Sequence, residues 1–266
     1  MDFFINLILR ASVETLYLTG MIIVFGLLLG VLRNNSIKNF HKSLGMKAIM
    51  ITGVIGVPIH ELSHAVLSLA FRHDIRRIKL FQKPDSNGVM GYVDHSYNPN
   101  SLYQQIGNFF IGVAPIFGGV ITIIALMYLA IPSTYNKFIS VLFNSLHITK
   151  IGKVTIEGLI NSYGMLIKSI FSAENFKNPY FYLFLILSIC IASHISLSMA
   201  DIKGASRGLI VMFLLLVVIN AFGLSIDFMD TAILKYNILI TGMLVIALIL
   251  SATTFIISLI LSIIKR

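Results

Sequence analysis

Charge is scarce in this sequence of 266 residues: 12% are Asp, Glu, Lys or Arg, against 57% that are hydrophobic. A water-soluble domain carries about 25% charged residues, so there is too little polar surface here to coat a water-facing body. Soluble enzymes, disordered regulators and nucleic-acid binders are thereby excluded, and the chain reads as an all-α polytopic membrane protein. Tryptophan is absent, which leaves Tyr and Phe as the interfacial aromatics. The one cysteine, Cys190, sits in an apolar run and excludes an internal disulfide or a cysteine-based metal cluster. The net charge of +9 implies no nucleic-acid partner. The Lys and Arg residues lie in short segments between apolar runs, where membrane topology places them.

Six apolar runs approach or exceed the roughly 20 residues that span a bilayer. They are Leu16–Leu32, Met46–Phe71, Ile106–Ile131, Pro179–Ala200, Gly208–Leu224 and Asn237–Ile264. Residues 1–13 read as an interfacial helix or the lead-in to the first span. Glu14 precedes that span and no small-x-small cleavage site follows, so it is expected to be retained. Arg33–Lys47 reads as a polar link. Residues 72–105 alternate polar and apolar positions around Asn87-Gly88, which predicts a small β-hairpin. Tyr135–Ile148 and Val154–Phe171 have helical apolar spacing and read as amphipathic helices at the membrane surface. Residues 1–266 form a single membrane-embedded domain, since neither long connection reaches domain size.

Charge counting does not orient this topology. With the N-terminus inside, the inner and outer segments each hold ten basic residues. Weighting residues near span ends favours Arg72, Arg76, Arg77 and Lys79 as cytoplasmic. That orientation puts both termini on the cytoplasmic side, in the cell membrane.

The second span contains His60-Glu61-Leu62-Ser63-His64, an H-E-x-x-H pattern. Residues four apart share a helix face, so both imidazoles can bind one tetrahedral zinc ion. Glu61, beside that face, can take a proton from a water that the metal activates. Chance would produce the pattern in only about three such chains per thousand. Ionisable groups inside an apolar span are expensive there and mark function.

A catalytic zinc takes a third protein ligand. The other acidic residues fall in links or at span edges, whereas Asp201 closes the fourth expected span. Spans two and four should run parallel, which brings both ligand sites to one side of the bilayer. Asp201 must then reach His64 by a deeper helix or by unwinding near 202–204. His194 and Ser198 precede it on nearly the same helix face, where they could orient a ligand or bind substrate; His194 could equally be a buried, hydrogen-bonded histidine.

The order of these motifs, with Gly112-Val113-Ala114-Pro115-Ile116-Phe117-Gly118-Gly119 in the intervening span, resembles the site-2-protease family of intramembrane zinc metalloproteases. The resemblance covers roughly residues 46–208, a three-span core with its hairpin. It implies zinc ligands His60, His64 and Asp201, Glu61 as catalytic base, and a cytoplasmic hairpin whose strands pair with an extended substrate. Pro115 matches the proline of the family's second motif, while Gly118 stands where an asparagine is expected. Asp201-Ile202-Lys203-Gly204 replaces the usual Asp-Gly. The expected function is cleavage of a transmembrane segment or membrane-bound peptide, with the lipid bilayer as surroundings and one Zn2+ per chain. The alternatives are a non-proteolytic zinc-binding membrane protein and a cation- or proton-coupled transporter.

Overall fold

The computed structural model describes residues 2–86, 88–147, 153–223 and 230–265. Asn87, half of the expected turn, lies outside them, as do Ile148 and Leu224. The first helix, α1 (Asp2–Leu44), runs through both the first expected span and the expected link beyond it. No proline interrupts it. The polar side chains of the link find acceptors on the helix itself: Asn35 Nδ2 donates to the Val31 carbonyl and Ser36 Oγ to that of Leu32, at 2.9 and 2.8 Å. The chain turns only at Gly45, whose φ of 71° suits glycine. α2 (Met46–Ala70) follows and carries the two histidines of the pattern.

After α2 comes the expected hairpin. β1 (Asp74–Lys79) and β2 (Tyr92–Ser96) pair antiparallel, Asp74 opposite Ser96 and Lys79 opposite Tyr92, with an irregularity between Ile75 and Arg77. Beyond the strands the Gln82 N–H donates to the Met90 carbonyl at 2.8 Å. Phe81 and Met90 pack on Gly53, and Gly91 lies against Val57 and Glu61. Gly53 is seventeen residues before Ala70, about 25 Å along the helix. The hairpin therefore folds back beside α2, so its tip lies alongside the helix far from the end where the hairpin begins.

α3 (Leu102–Ala130) occupies the centre, with Ile116, Val120, Ile123 and Met127 fully buried. α4 (Pro132–Ser145) and α5 (Lys153–Ile170) are the two amphipathic helices. They bury Phe138, Leu142, Leu166 and Ile170 in the same core, and short α6 (Ala173–Lys177) leads on. α7 (Pro179–Ala192), α8 (Met199–Ala221) and α9 (Asp230–Ile264) complete the chain.

Among the described residues, five helices are long and apolar enough to cross a membrane: α1, α2, α3, α8 and α9. The six expected spans are thus corrected to five. The run Pro179–Ala200 is helical only to Ala192, and 14 residues rise about 21 Å, short of the ~30 Å hydrocarbon core. α7 begins where α3 ends, Asn178 Nδ2 donating to the Ala130 carbonyl at 3.2 Å. It climbs to Gly56 of α2 and Gly119 of α3. α8 continues from there past Phe109 to Glu14. The two helices stack into one traverse of the bundle, broken in the middle.

α1 and α9 run parallel. Tyr236 and Asn237 bond to the carbonyls of Leu18 and Tyr17, and Ser258 meets Asn39 about 21 residues further along both helices. The two ends of the chain therefore lie at opposite ends of the bundle. The expected arrangement had both termini on one side, whereas two of its spans are here halves of a single traverse.

Candidate metal centre

His60 and His64 lie on one face of α2, ten and six residues from its C-terminal end. Their Nε2 atoms stand 3.2 Å apart. Asp201 completes the group: its Oδ1 is 3.2 Å from His64 Nε2 and its Oδ2 is 3.8 Å from His60 Nε2. Ligand atoms about 2.0–2.1 Å from a tetrahedral ion stand roughly 3.3 Å from one another. Two of the separations match that spacing and the third, to the other carboxylate oxygen, is longer; the group could hold a metal ion.

Both rings are turned by main-chain carbonyls. His60 Nδ1 donates to the His194 carbonyl at 3.0 Å and His64 Nδ1 to the Ile111 carbonyl at 2.8 Å. A carbonyl can only accept, so each neutral ring carries its proton on Nδ1 and presents a bare Nε2 to its neighbour. Two converging lone pairs beside a carboxylate repel one another unless a cation or a proton sits among them.

Both carbonyls are available for local reasons. Pro115 has no N–H to donate to the carbonyl four residues earlier, which is that of Ile111. His194 lies in the non-helical segment between α7 and α8, where the helix ladder has ended. Pro115 acts here through Ile111, and His194 acts through its backbone. The His194 ring points the other way, its Nε2 3.2 Å from Thr52 Oγ1, and it packs so closely on Gly56 that a Cβ there would meet it at 2.5 Å.

Asp201 is the expected residue on a different element. It lies in the first turn of α8 instead of at the end of the fourth expected span. Ser198 caps α8 and forms a capping box with it: Ser198 Oγ accepts from the Asp201 N–H at 3.1 Å, and the Ser198 N–H donates to Asp201 Oδ2 at 2.7 Å. That exchange fixes the carboxylate. The chain unwinds at 193–198 instead of near 202–204. The Ser-x-x-Asp spacing is the sequence signal for this helix start. A Cβ on Gly112 would lie 2.6 Å from the Asp201 carbonyl, so glycine there lets the first turn of α8 dock on α3.

Glu61 is buried and within electrostatic reach of His64 and Asp201. Gly91 of the hairpin covers it, a Cβ there falling 2.8 Å from Glu61 Cγ. Sequence reasoning missed two neighbours. Arg33, read as part of a link, lies close enough to interact electrostatically with Asp201, His60 and His194. Gly91 carried no local signal, since only the fold-back of the hairpin brings it to Glu61. No protein-family model matches the chain, no curated protein matches its sequence, and no solved structure matches its fold.

Proposed function

We propose that the chain is an intramembrane zinc endopeptidase similar to the site-2-proteases, acting on a transmembrane segment or a membrane-bound peptide. The observation that carries this reading is the convergence of His60 Nε2, His64 Nε2 and an Asp201 carboxylate oxygen beside a buried glutamate, all inside an apolar bundle. Zinc held by these three side chains would supply Lewis acidity toward a peptide carbonyl and the attacking water.

Glu61 is the general base: it takes the proton of the attacking water and returns it to the departing amine. The carbonyls of Ile111 and His194 hold the imidazoles in the ligating tautomer, and Ser198 holds Asp201. His60 lies about 15 Å in from the C-terminal end of α2, so a substrate must enter the bundle. A helical substrate must also unwind there, because its amides are otherwise bonded internally. The five apolar helices fit residence in a membrane, and we assign the cell membrane as its location.

Glu61→Gln tests the reading. It preserves shape and all three ligands while removing the base. Zinc content should stay near one per chain, and cleavage of a transmembrane reporter should fall by about 10²–10⁴-fold. If Glu61→Gln sustains the biological role while His60→Ala abolishes it, the metal is structural and the non-proteolytic alternative holds.

A further inference from the structure

α1 carries a cation to the level of the metal centre. Glu14 Oε2 accepts from Asn220 Nδ2 at 2.6 Å, which pins the start of α1 beside the end of α8. Gly26, seven residues before Arg33 and about 10 Å along α1, packs on Ile116 and on Leu197 just ahead of Asp201. Side chains on a helix lean toward its N-terminus, which carries the Arg33 guanidinium back toward that level. Its electrostatic interactions with Asp201, His60 and His194 agree with that placement.

Arg33 feels the Asp201 carboxylate only at a distance. Among the described residues it forms no ion pair; the Asp201 oxygens are committed to His64 and to the Ser198 N–H. Its Nη1 reaches the neutral Asn34 Oδ1 at 3.3 Å, and its Nε is buried with no acceptor at all. An arginine inside an apolar span faces the bundle interior and marks a place where negative charge is met. A buried N–H without an acceptor is an unused donor, which one more acceptor would satisfy.

We propose that Arg33 meets the oxygen of the peptide carbonyl under attack and stabilises the negative charge that develops on it. This rests on the protease reading. As the water oxygen bonds to the carbonyl carbon, the π pair moves onto the carbonyl oxygen and Glu61 takes the proton. Collapse returns that pair to the C=O, breaks the C–N bond and delivers the proton to the amine. The oxygen is most negative between these two events. A cation that meets it there raises the rate of the chemical step more than it tightens substrate binding.

The test uses full-length, zinc-loaded protein in nanodiscs and two probes: an apolar peptide carrying a tetrahedral phosphinate, and the same peptide with an ordinary amide. Binding is read by calorimetry and zinc by mass spectrometry. In Arg33→Gln, zinc content should be unchanged, amide-peptide binding should move little, and phosphinate binding should weaken by about 10²-fold or more. Arg33→Lys should recover part of that loss and serves as the folding control. Unchanged phosphinate binding in Arg33→Gln overturns the proposal alone, as does equal loss of both peptides, which would make Arg33 a general substrate contact. Loss of zinc in Arg33→Gln also overturns it, because Arg33 would then serve the metal centre itself. If the unmutated, zinc-loaded chain binds no phosphinate, the protease reading fails and the proposal falls with it.

Discussion

His64 Nδ1 stands 2.8 Å from the carbonyl oxygen of Ile111, and this carbonyl is the one that Pro115 leaves without its helical partner. A proline in the middle of a buried helix costs about 3 kcal/mol against alanine. Here the exposed acceptor turns an imidazole on the adjacent helix, so the loss to α3 is offset by an ordered ligand on α2. The opposite histidine is served by another interrupted ladder, at His194 between α7 and α8. Both imidazoles are therefore oriented by carbonyls at breaks in helical order, that of His194 also accepting from the Ser196 N–H at 3.0 Å.

Pro115→Ala should restore the N–H that competes for the Ile111 carbonyl. Groups that orient metal-binding histidines are worth about 10–100-fold in metal affinity, so zinc should bind that much more weakly while α3 itself gains stability. Competition with a chromophoric chelator measures the affinity, and thermal denaturation of the metal-free protein measures the second effect. Unaltered zinc affinity would show that His64 keeps its orientation without this carbonyl.

Asp201→Ala should remove a ligand and break the capping box with Ser198 together, whereas Ser198→Ala removes the cap alone. Loss of an N-cap side chain costs about 1 kcal/mol, so Ser198→Ala should lower thermal stability while zinc stoichiometry persists. Asp201→Ala should lose the metal under the same conditions. Equal zinc content and affinity in Asp201→Ala and the unmutated chain would remove Asp201 from the ligand set.

The histidines were legible because their spacing needs only a helix, and any continuous apolar run supplies one. Asp201 was legible as a residue but not as a position. Hydropathy averaged over 179–200 sees one apolar stretch, whereas the chain stops its helix at Ala192 and restarts it at Ser198. The Ser-x-x-Asp spacing held that information, and the surrounding apolar residues outweighed it. Arg33 was misplaced for the converse reason: the polar residues after Leu32 read as a link, yet they bond back to their own helix and extend it. Gly91 was beyond reach, since its contact with Glu61 depends on tertiary folding of the hairpin.

The parallel run of α1 and α9 predicts opposite locations for the two termini. A single cysteine introduced at position 2 or 265 in a Cys190→Ser background should be labelled by a membrane-impermeant reagent at one position only in intact cells. Both should react after permeabilisation. Labelling of both, or of neither, in intact cells would return the termini to one side.

The hairpin is attached through two more histidines. His73 Nε2 donates to the Gln104 carbonyl at 2.9 Å, leaving Nδ1 of the neutral ring to accept from His95 Nδ1, 3.0 Å away. Tyr97 stacks on the His73 ring, so α2, β2 and the start of α3 are tied at one point. Burial, and then the neighbouring His73, hold the His95 pKa below the ordinary histidine value. A histidine whose folded pKa is depressed binds fewer protons folded than unfolded, so its contribution is present above the unfolded pKa of about 6.5 and is lost as the pH falls below it. Exchange of the β1 and β2 amides with deuterium should therefore accelerate, beyond the intrinsic pH effect, as the pH is lowered from 7 to 5. His95→Gln keeps a donor for His73 but cannot titrate, so it should flatten that response. A response of the same size in His95→Gln would locate the pH sensitivity elsewhere.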